Sequence, residues 1–294
     1  MNLSEYLVRE QQRIEREMER LVPAESAAPE TIHRAMRYSL FAGGKRIRPI
    51  LCLAAAEAIA DNSPGVETAA CSLEFIHTYS LIHDDLPALD NDDYRRGKLT
   101  CHKVFGDAMA ILAGDALLTL AFETLAKMDA VSAERKIRII AELATASGTV
   151  GGMIGGQVAD LEGEGKPPDA GLLESIHRAK TGALLRVSVL MGAIYAGADN
   201  GQLRAISDFG EHIGLAFQIV DDILDVEESS QALGKTAGKD AQQKKITFPA
   251  VYGLDESRRM AEQERERAHQ SLAPFADRAR RLSELADLIV HRKA

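Results

Sequence analysis

Gln218-Ile219-Val220-Asp221-Asp222-Ile223-Leu224-Asp225 ends one long apolar helical pattern, and Leu81-Ile82-His83-Asp84-Asp85-Leu86-Pro87-Ala88-Leu89-Asp90 ends another. Asp221 and Asp225 are four residues apart, so a helix places them on one face. Buried like charges repel, and such clusters persist only where water or a cation compensates them. Hard carboxylate oxygens on one face suit Mg²⁺, which takes one or two carboxylates and keeps positions open for phosphate oxygens. A lone Asp pair at a helix end reads more simply as solvated surface. Two copies, each preceded by apolar helix and accompanied by basic clusters, favour a metal.

Working outward, helical spacing of apolar residues predicts helices over residues 2–20, through about 40, 48–60, 66–86, 108–127, from Ser132 into the glycine series Gly148–Gly156, 169–196, 200–226, 255–272 and 276–292. Pro87 should end the helix before it, because a residue preceding proline disfavours the α region. Residues 89–104 read as a loop, and Ser229–Lys245 as a polar, mobile one. The glycine series is awkward for an isolated helix and makes sense where another backbone or a ligand approaches closely. No alternating strand pattern occurs. The fold class is therefore all-α, a single domain over residues 1–294, with ten or more helices bundled around a central cavity and the two acidic stretches facing across it.

Composition narrows the function. Hydrophobic residues make up 46% of the 294-residue chain, ample for a core, while aromatics are 5% and Trp is absent. A formal net charge of −9 argues against nucleic-acid binding. Cys52, Cys71 and Cys101 have no paired spacing and read as reduced, structural residues of a cytoplasmic protein. Residues 1–20 are charged and amphipathic, unlike a signal peptide, and no apolar run reaches ~18 residues without a polar break, so no stable membrane insertion is expected.

Basic groups flank both acidic stretches. Gly43-Gly44-Lys45-Arg46-Ile47-Arg48-Pro49 sets three cations in a glycine-opened, proline-closed corner. Arg95-Arg96 follows the first acidic stretch, Lys180-Thr181-Gly182 lies in an apolar helix, and Lys235 and Lys239 follow the second stretch. Arginine forks hold phosphate oxygens bidentately and lysine supplies a compact charge, so four such groups suggest two diphosphates. His77 lies two helical turns before Asp84 on the same stripe and is read as functional, although a lone helical His is more often a packed core residue. His83 orients or packs rather than binding Mg²⁺, which prefers oxygen. Gln218 either touches the ligand or caps a network.

Taken together, the paired Asp-rich stretches with GGKRIRP and KTG resemble the trans-isoprenyl diphosphate synthase family, most closely its bacterial farnesyl type. Four residues separate Asp85 from Asp90, as in that type, rather than the two of the family's shorter motif. The resemblance implies that Asp84, Asp90 and Asp221 bind Mg²⁺ bridging an allylic diphosphate, with Asp85, Asp222 and Asp225 completing or orienting that shell. It implies Arg95, Lys180 and Lys235 on the allylic diphosphate (dimethylallyl or geranyl). Lys45, Arg48, His77 and Arg96 would hold isopentenyl diphosphate, and Thr181 and Gln218 would lie near the developing carbocation. The cofactor implied is Mg²⁺, roughly three ions per site, with Mn²⁺ able to substitute; the assembly implied is a homodimer. An aromatic at the offset of Tyr79, beside the small Ser80, forms the product-pocket floor in the family, implying mainly farnesyl diphosphate.

Other readings compete. A geranylgeranyl diphosphate synthase differs only in product length. A class I terpene cyclase shares Asp-rich helices but lacks a second diphosphate site at Lys45, Arg48 and His77. Glu74-x-x-His77 and Glu174-x-x-His177 match the pattern of di-iron carboxylate bundles, with Glu123 and Glu142 as further ligands. That reading leaves both Asp clusters and every basic group without a role. A catalytically dead subunit that only binds a partner would not keep complete carboxylate and basic sets.

Overall fold

The computed structural model describes residues 1–167, 169–231 and 246–292. More than ten helices make up the described residues, and their only β-structure is the two-residue antiparallel pairing of Tyr94–Arg95 with Lys98–Leu99. The all-α expectation holds. Two compact units form, one from Met1–Leu53 with Ser63–Ile140 and the other from Ala54–Asn62 with Ala141–Ala294.

The first unit opens with α1 (Leu3–Leu21), started by a reciprocal cap in which Asn2 accepts from the Glu5 amide and Glu5 accepts from that of Asn2. Its buried stripe is Tyr6, Glu10, Ile14 and Met18. Next come α2 (Glu30–Leu40) and the start of α3 (Ile47–Ile59). Helix α4 (Val66–Asp84) is buried along most of its length and carries the first acidic stretch. It packs on α1, on α2 and above all on α6 (Asp107–Ala126), which follows the short α5 (Cys101–Phe105). A Cβ on Gly114 of α6 would lie 2.2 Å from Nε2 of His83, so the glycine makes room for that ring. His83 Nε2 sits 3.0 Å from the Ile111 carbonyl, a packing role as expected. In the core, Arg46 donates to Glu74 at 2.7 Å and to the Leu40 carbonyl at 2.8 Å, with both charged side chains buried.

Helix α7 (Ala133–Ser147) begins at Ser132, whose hydroxyl accepts from the Arg135 amide. The second unit then holds α8 (Met153–Gly163), α9 (Ala170–His177), a π-helical turn at Arg178–Gly182, α10 (Ala183–Ala196) and the long α11 (Asn200–Gln231). After residue 245 come α12 (Phe248–Tyr252), α13 (Leu254–Ser271), a 3₁₀ segment (Ala273–Ala279) and α14 (Arg280–Val290). Helix α11 packs on α10 and α13, and Leu173, Leu215, Ile219, Val220, Ile223, Ile246 and Phe248 form a core cluster around it.

Four expectations change in detail. The glycine series does not continue a helix: α7 stops at Ser147, and residues 148–152 turn, with Gly151 at φ +67°, before α8 begins. The helix expected over 169–196 is two α-helices joined by the π turn. The loop expected over 89–104 contains the hairpin and α5. The loop expected over Ser229–Lys245 starts later, because α11 runs to Gln231; its remaining part, with Lys235 and Lys239, lies outside the described residues. Cys52, Cys71 and Cys101 are free and buried, and burial pushes the Cys52 thiol up to about 12. By length and composition alone α6 could cross a bilayer, despite Asp115 in its middle; its Ala110, Ala113, Leu117 and Ala121 face is buried, while Ile111 and Leu112 are exposed.

Candidate active site

In the first unit, the chain after α4 folds back on the helix end. The Asp90 amide donates to the Asp84 carbonyl at 2.9 Å, and the Asp92 amide to that of Asp85 at 3.1 Å. This draws Asp90 towards Asp84, both half-buried. Asp85 is buried, and Arg95 grips both its oxygens through Nε at 2.8 and 3.0 Å and Nη2 at 2.6 Å. Burial works against the Arg95 charge, but that fork and the neighbouring Asp84 and Asp90 outweigh it, and its pKa is raised.

The basic corner is built on unusual backbone. Gly43 and Gly44 have φ of +97° and +136°, and Arg46 and Arg96 both sit at +52°. Non-glycine residues in the left-handed region cost about a kcal/mol or more and gather at functional sites. The Gly43 carbonyl accepts from Arg96, and a Cβ on Gly44 would meet Arg96 Nη1 at 2.5 Å. The two glycines thus seat the guanidinium of the hairpin against the corner that carries exposed Lys45 and half-buried Arg48. His77 faces the same cations. Burial holds its pKa well below 6.5, and the charges of Arg48, Arg96, Arg95 and Arg46 push the same way.

Tyr79 is buried, with its ring edge-on to His83 at 5.7 Å and its hydroxyl without a hydrogen-bond partner among the described residues. Burial, then the nearby Asp84 charge, pushes its phenol up to about 12. Ser80 is tied to its own helix through the His77 carbonyl.

In the second unit the π turn is clasped between glycines. A Cβ on Gly156 of α8 would come 2.2 Å from the Lys180 amide nitrogen, and one on Gly214 of α11 would come 2.8 Å from Gly182 Cα. The close backbone approach anticipated for the glycine series is therefore met at Gly156. Lys180 Nζ donates to Asp160 at 2.7 Å. The Thr181 hydroxyl donates to Gln218, whose amide donates to Asp222. Asp222 is buried and also accepts from the Phe248 amide at 2.9 Å, with His177 Nε2 at 3.3 Å and the His177 ring stacked on Phe248. Gln218 thus joins a network rather than standing alone. Asp221 is 44% exposed and pairs with Arg292; Asp225, one turn on, is half-buried.

Asp160 and Arg292 escaped the sequence reading as site residues, and His177 entered it only through the Glu-x-x-His pattern, not as the neighbour of Asp222. Asp160 lies 20 residues and Arg292 71 residues from its partner, and no local pattern announces either. The di-iron reading fails on Glu74, which is sealed against Arg46, and on Glu174, which is exposed and bound to Arg178. No group of three or more His, Cys, Asp or Glu among the described residues forms a ready metal site.

A family model described as polyprenyl synthetase matches residues 29–284. The chain is 49% identical over 293 residues to a dimethylallyltranstransferase of Fischerella ambigua, covering 99% of this chain and 84% of that protein. It is 52% identical over 268 residues to a chloroplastic geranylgeranyl pyrophosphate synthase of Catharanthus roseus, covering 90% and 74%. Among solved structures, an FPP/GFPP synthase from Zymomonas mobilis superposes with a TM-score of 0.88 at 35% identity, covering 98% of this chain and 99% of that one.

The cation crowd around His77 has a pH consequence. The folded state disfavours its imidazolium, so the unfolded chain takes up the proton first as pH falls through 6.5. The contribution of His77 to stability is complete above that pH and declines below it. The His77 ring signals in NMR should not titrate near 6.5, and Arg48→Ala should raise their midpoint. Titration at the ordinary value in the wild type would contradict this.

Proposed function

Because the chain belongs to the polyprenyl synthetase family, matched over residues 29–284, we propose that it condenses isopentenyl diphosphate with dimethylallyl or geranyl diphosphate, with farnesyl diphosphate as the main product. One arrangement carries the reading. At each acidic stretch the second Asp of the pair is buried and held by protein donors, while the first, Asp84 or Asp221, is half-exposed. One family model spanning both compact units favours treating residues 1–294 as one catalytic domain.

The donor set fits a hard divalent cation. Asp84 with Asp90, and Asp221 with Asp225, are all-oxygen pairs, and the nearby His83 is committed to a carbonyl. Pairs without a third ligand suit Mg²⁺, whose shell diphosphate oxygens and water complete. Of the two parts expected of Asp85 and Asp222, completing or orienting the metal shell, we assign the orienting one, since their oxygens already bind Arg95 and the Phe248 amide. Bound Mg²⁺ supplies electrophilic charge to the leaving pyrophosphate.

The chain's own residues do the rest. Lys180, Arg95 and Lys235 hold the allylic diphosphate and neutralise charge as its C–O bond ionises. Lys45, Arg48, Arg96 and neutral His77 hold isopentenyl diphosphate so that its double bond reaches the allylic cation, a gain of positioning. Thr181, held by Gln218, offers its oxygen dipole near that cation. No side chain stands out as general base, and the released pyrophosphate takes the proton. Incubation with isopentenyl diphosphate and labelled geranyl diphosphate should give chain elongation only with Mg²⁺ or Mn²⁺. Asp84→Ala or Asp221→Ala should lower kcat by at least ~10²-fold. Cyclic hydrocarbon as product, or full turnover in excess chelator, would reject the reading.

Product length rests on Tyr79. Its buried ring lies five residues before Asp84, and we place the floor of the product pocket there. An added isoprene unit there meets overpacking of about 1–3 kcal/mol. The identity to a geranylgeranyl pyrophosphate synthase favours C20 as the second reading. Chromatography of wild-type products should show mainly C15, and Tyr79→Ala should give C20 and longer. A mainly C20 wild type, or an unchanged distribution in the variant, removes Tyr79 as the floor.

The exposed Ile111 and Leu112 of α6, beside Val104, are assigned to contact with a second copy of the chain, since apolar groups gathered at a surface favour association. Sedimentation should give twice the chain mass, and Leu112→Glu should halve it; a monomeric wild type defeats the assignment. The cytoplasmic setting inferred from the cysteines is part of the same proposal; fractionation of the producing cells tests it, and recovery with membranes would reject it.

A further inference from the structure

Arg292, just beyond α14, reaches back 71 residues to α11. Its Nη2 donates to the Phe217 carbonyl at 2.9 Å and also to Asp221 Oδ1. Its guanidinium carbon lies 3.9 Å from the centre of the Phe217 ring. The Arg292 side chain is only 15% exposed, whereas that of Asp221 is 44% exposed. Neither the motif pattern nor any basic cluster points to this residue.

Two of these contacts, the carbonyl and the ring, are independent of Asp221. They fix the guanidinium beside the carboxylate whether or not the carboxylate stays bound. A divalent cation taking Asp221 Oδ1 must displace one hydrogen bond of a charge that cannot diffuse away. We propose that Arg292 is a positioning residue for Asp221, a tethered counter-charge that aims the carboxylate while no cation is present and weakens cation binding there. This rests on the reading of Asp221 as a metal ligand.

The test uses Mn²⁺ binding to the full-length protein without diphosphate, followed by electron paramagnetic resonance. Removing a half-exposed ion pair worth about 1 kcal/mol should tighten Mn²⁺ binding about fivefold in Arg292→Gln. Arg292→Met, which keeps apolar contact with Phe217, should show the same gain, and Arg292→Lys should stay near wild type. Asp221→Asn should weaken binding, and in that background Arg292→Gln should bring no further change. Unchanged or weaker binding in both Arg292→Gln and Arg292→Met, with Asp221→Asn still weakening the wild type, overturns the counter-charge and leaves the metal role of Asp221 standing. Binding insensitive to Asp221→Asn, with or without Arg292→Gln, overturns the metal role of Asp221 and the counter-charge with it.

Discussion

Two adjacent carboxylates on a helix cannot both be buried and charged unless each has its own compensation. Both acidic stretches meet that constraint by dividing labour within the pair. Asp85 is buried under the Arg95 fork, and Asp222 is buried under the Phe248 amide, Gln218 and His177. The first member of each pair stays half-exposed. Anchoring one carboxylate fixes the helix backbone there, and that backbone fixes where its neighbour points. The same geometry appears with entirely different donors, a side-chain fork in one unit and a backbone amide in the other, so the constraint lies in the electrostatics.

Room for these groups comes from missing side chains. Gly44 admits the Arg96 guanidinium, Gly114 admits the His83 ring, and Gly156 and Gly214 admit the backbone of the π turn. Each would overlap its neighbour if it carried a Cβ. The π turn follows from that clasp: widening the helix at Arg178–Gly182 sets Lys180 towards Asp160 and Thr181 towards Gln218. Glycines that weaken isolated helices here let functional backbone approach closely.

Periodicity made the helices legible, and the Asp pairs were legible because acidic residues at the end of an apolar stripe are rare. Partnerships across the fold were not. Arg46 with Glu74, Lys180 with Asp160 and Arg292 with Asp221 join residues 28, 20 and 71 positions apart, and charge pairs at such separations leave no trace in a local pattern. The Glu-x-x-His spacing yields no metal site for the same reason, since Glu74 is spoken for by an arginine from a strained turn. The two members of each Asp pair, alike in sequence, are told apart only by burial.

The charged side chains expected to meet ligand largely have protein partners already. Arg95 holds Asp85, Lys180 holds Asp160, Arg96 holds the Gly43 carbonyl and Asp221 holds Arg292. A partly buried charge is stabilised by a polar partner, and the unliganded protein supplies one for each of these. Ligand entry is then an exchange of partners, and the net gain per contact is small. An anion with one or two oxygens displaces too little to gain from the exchange. A diphosphate can address more than one group of the same unit at once, Arg95 together with Arg96 for example, recovering a partner for each one it disrupts. Selectivity for multiply charged substrates would thus come from the preformed pairs, because they make weak, single contacts unprofitable.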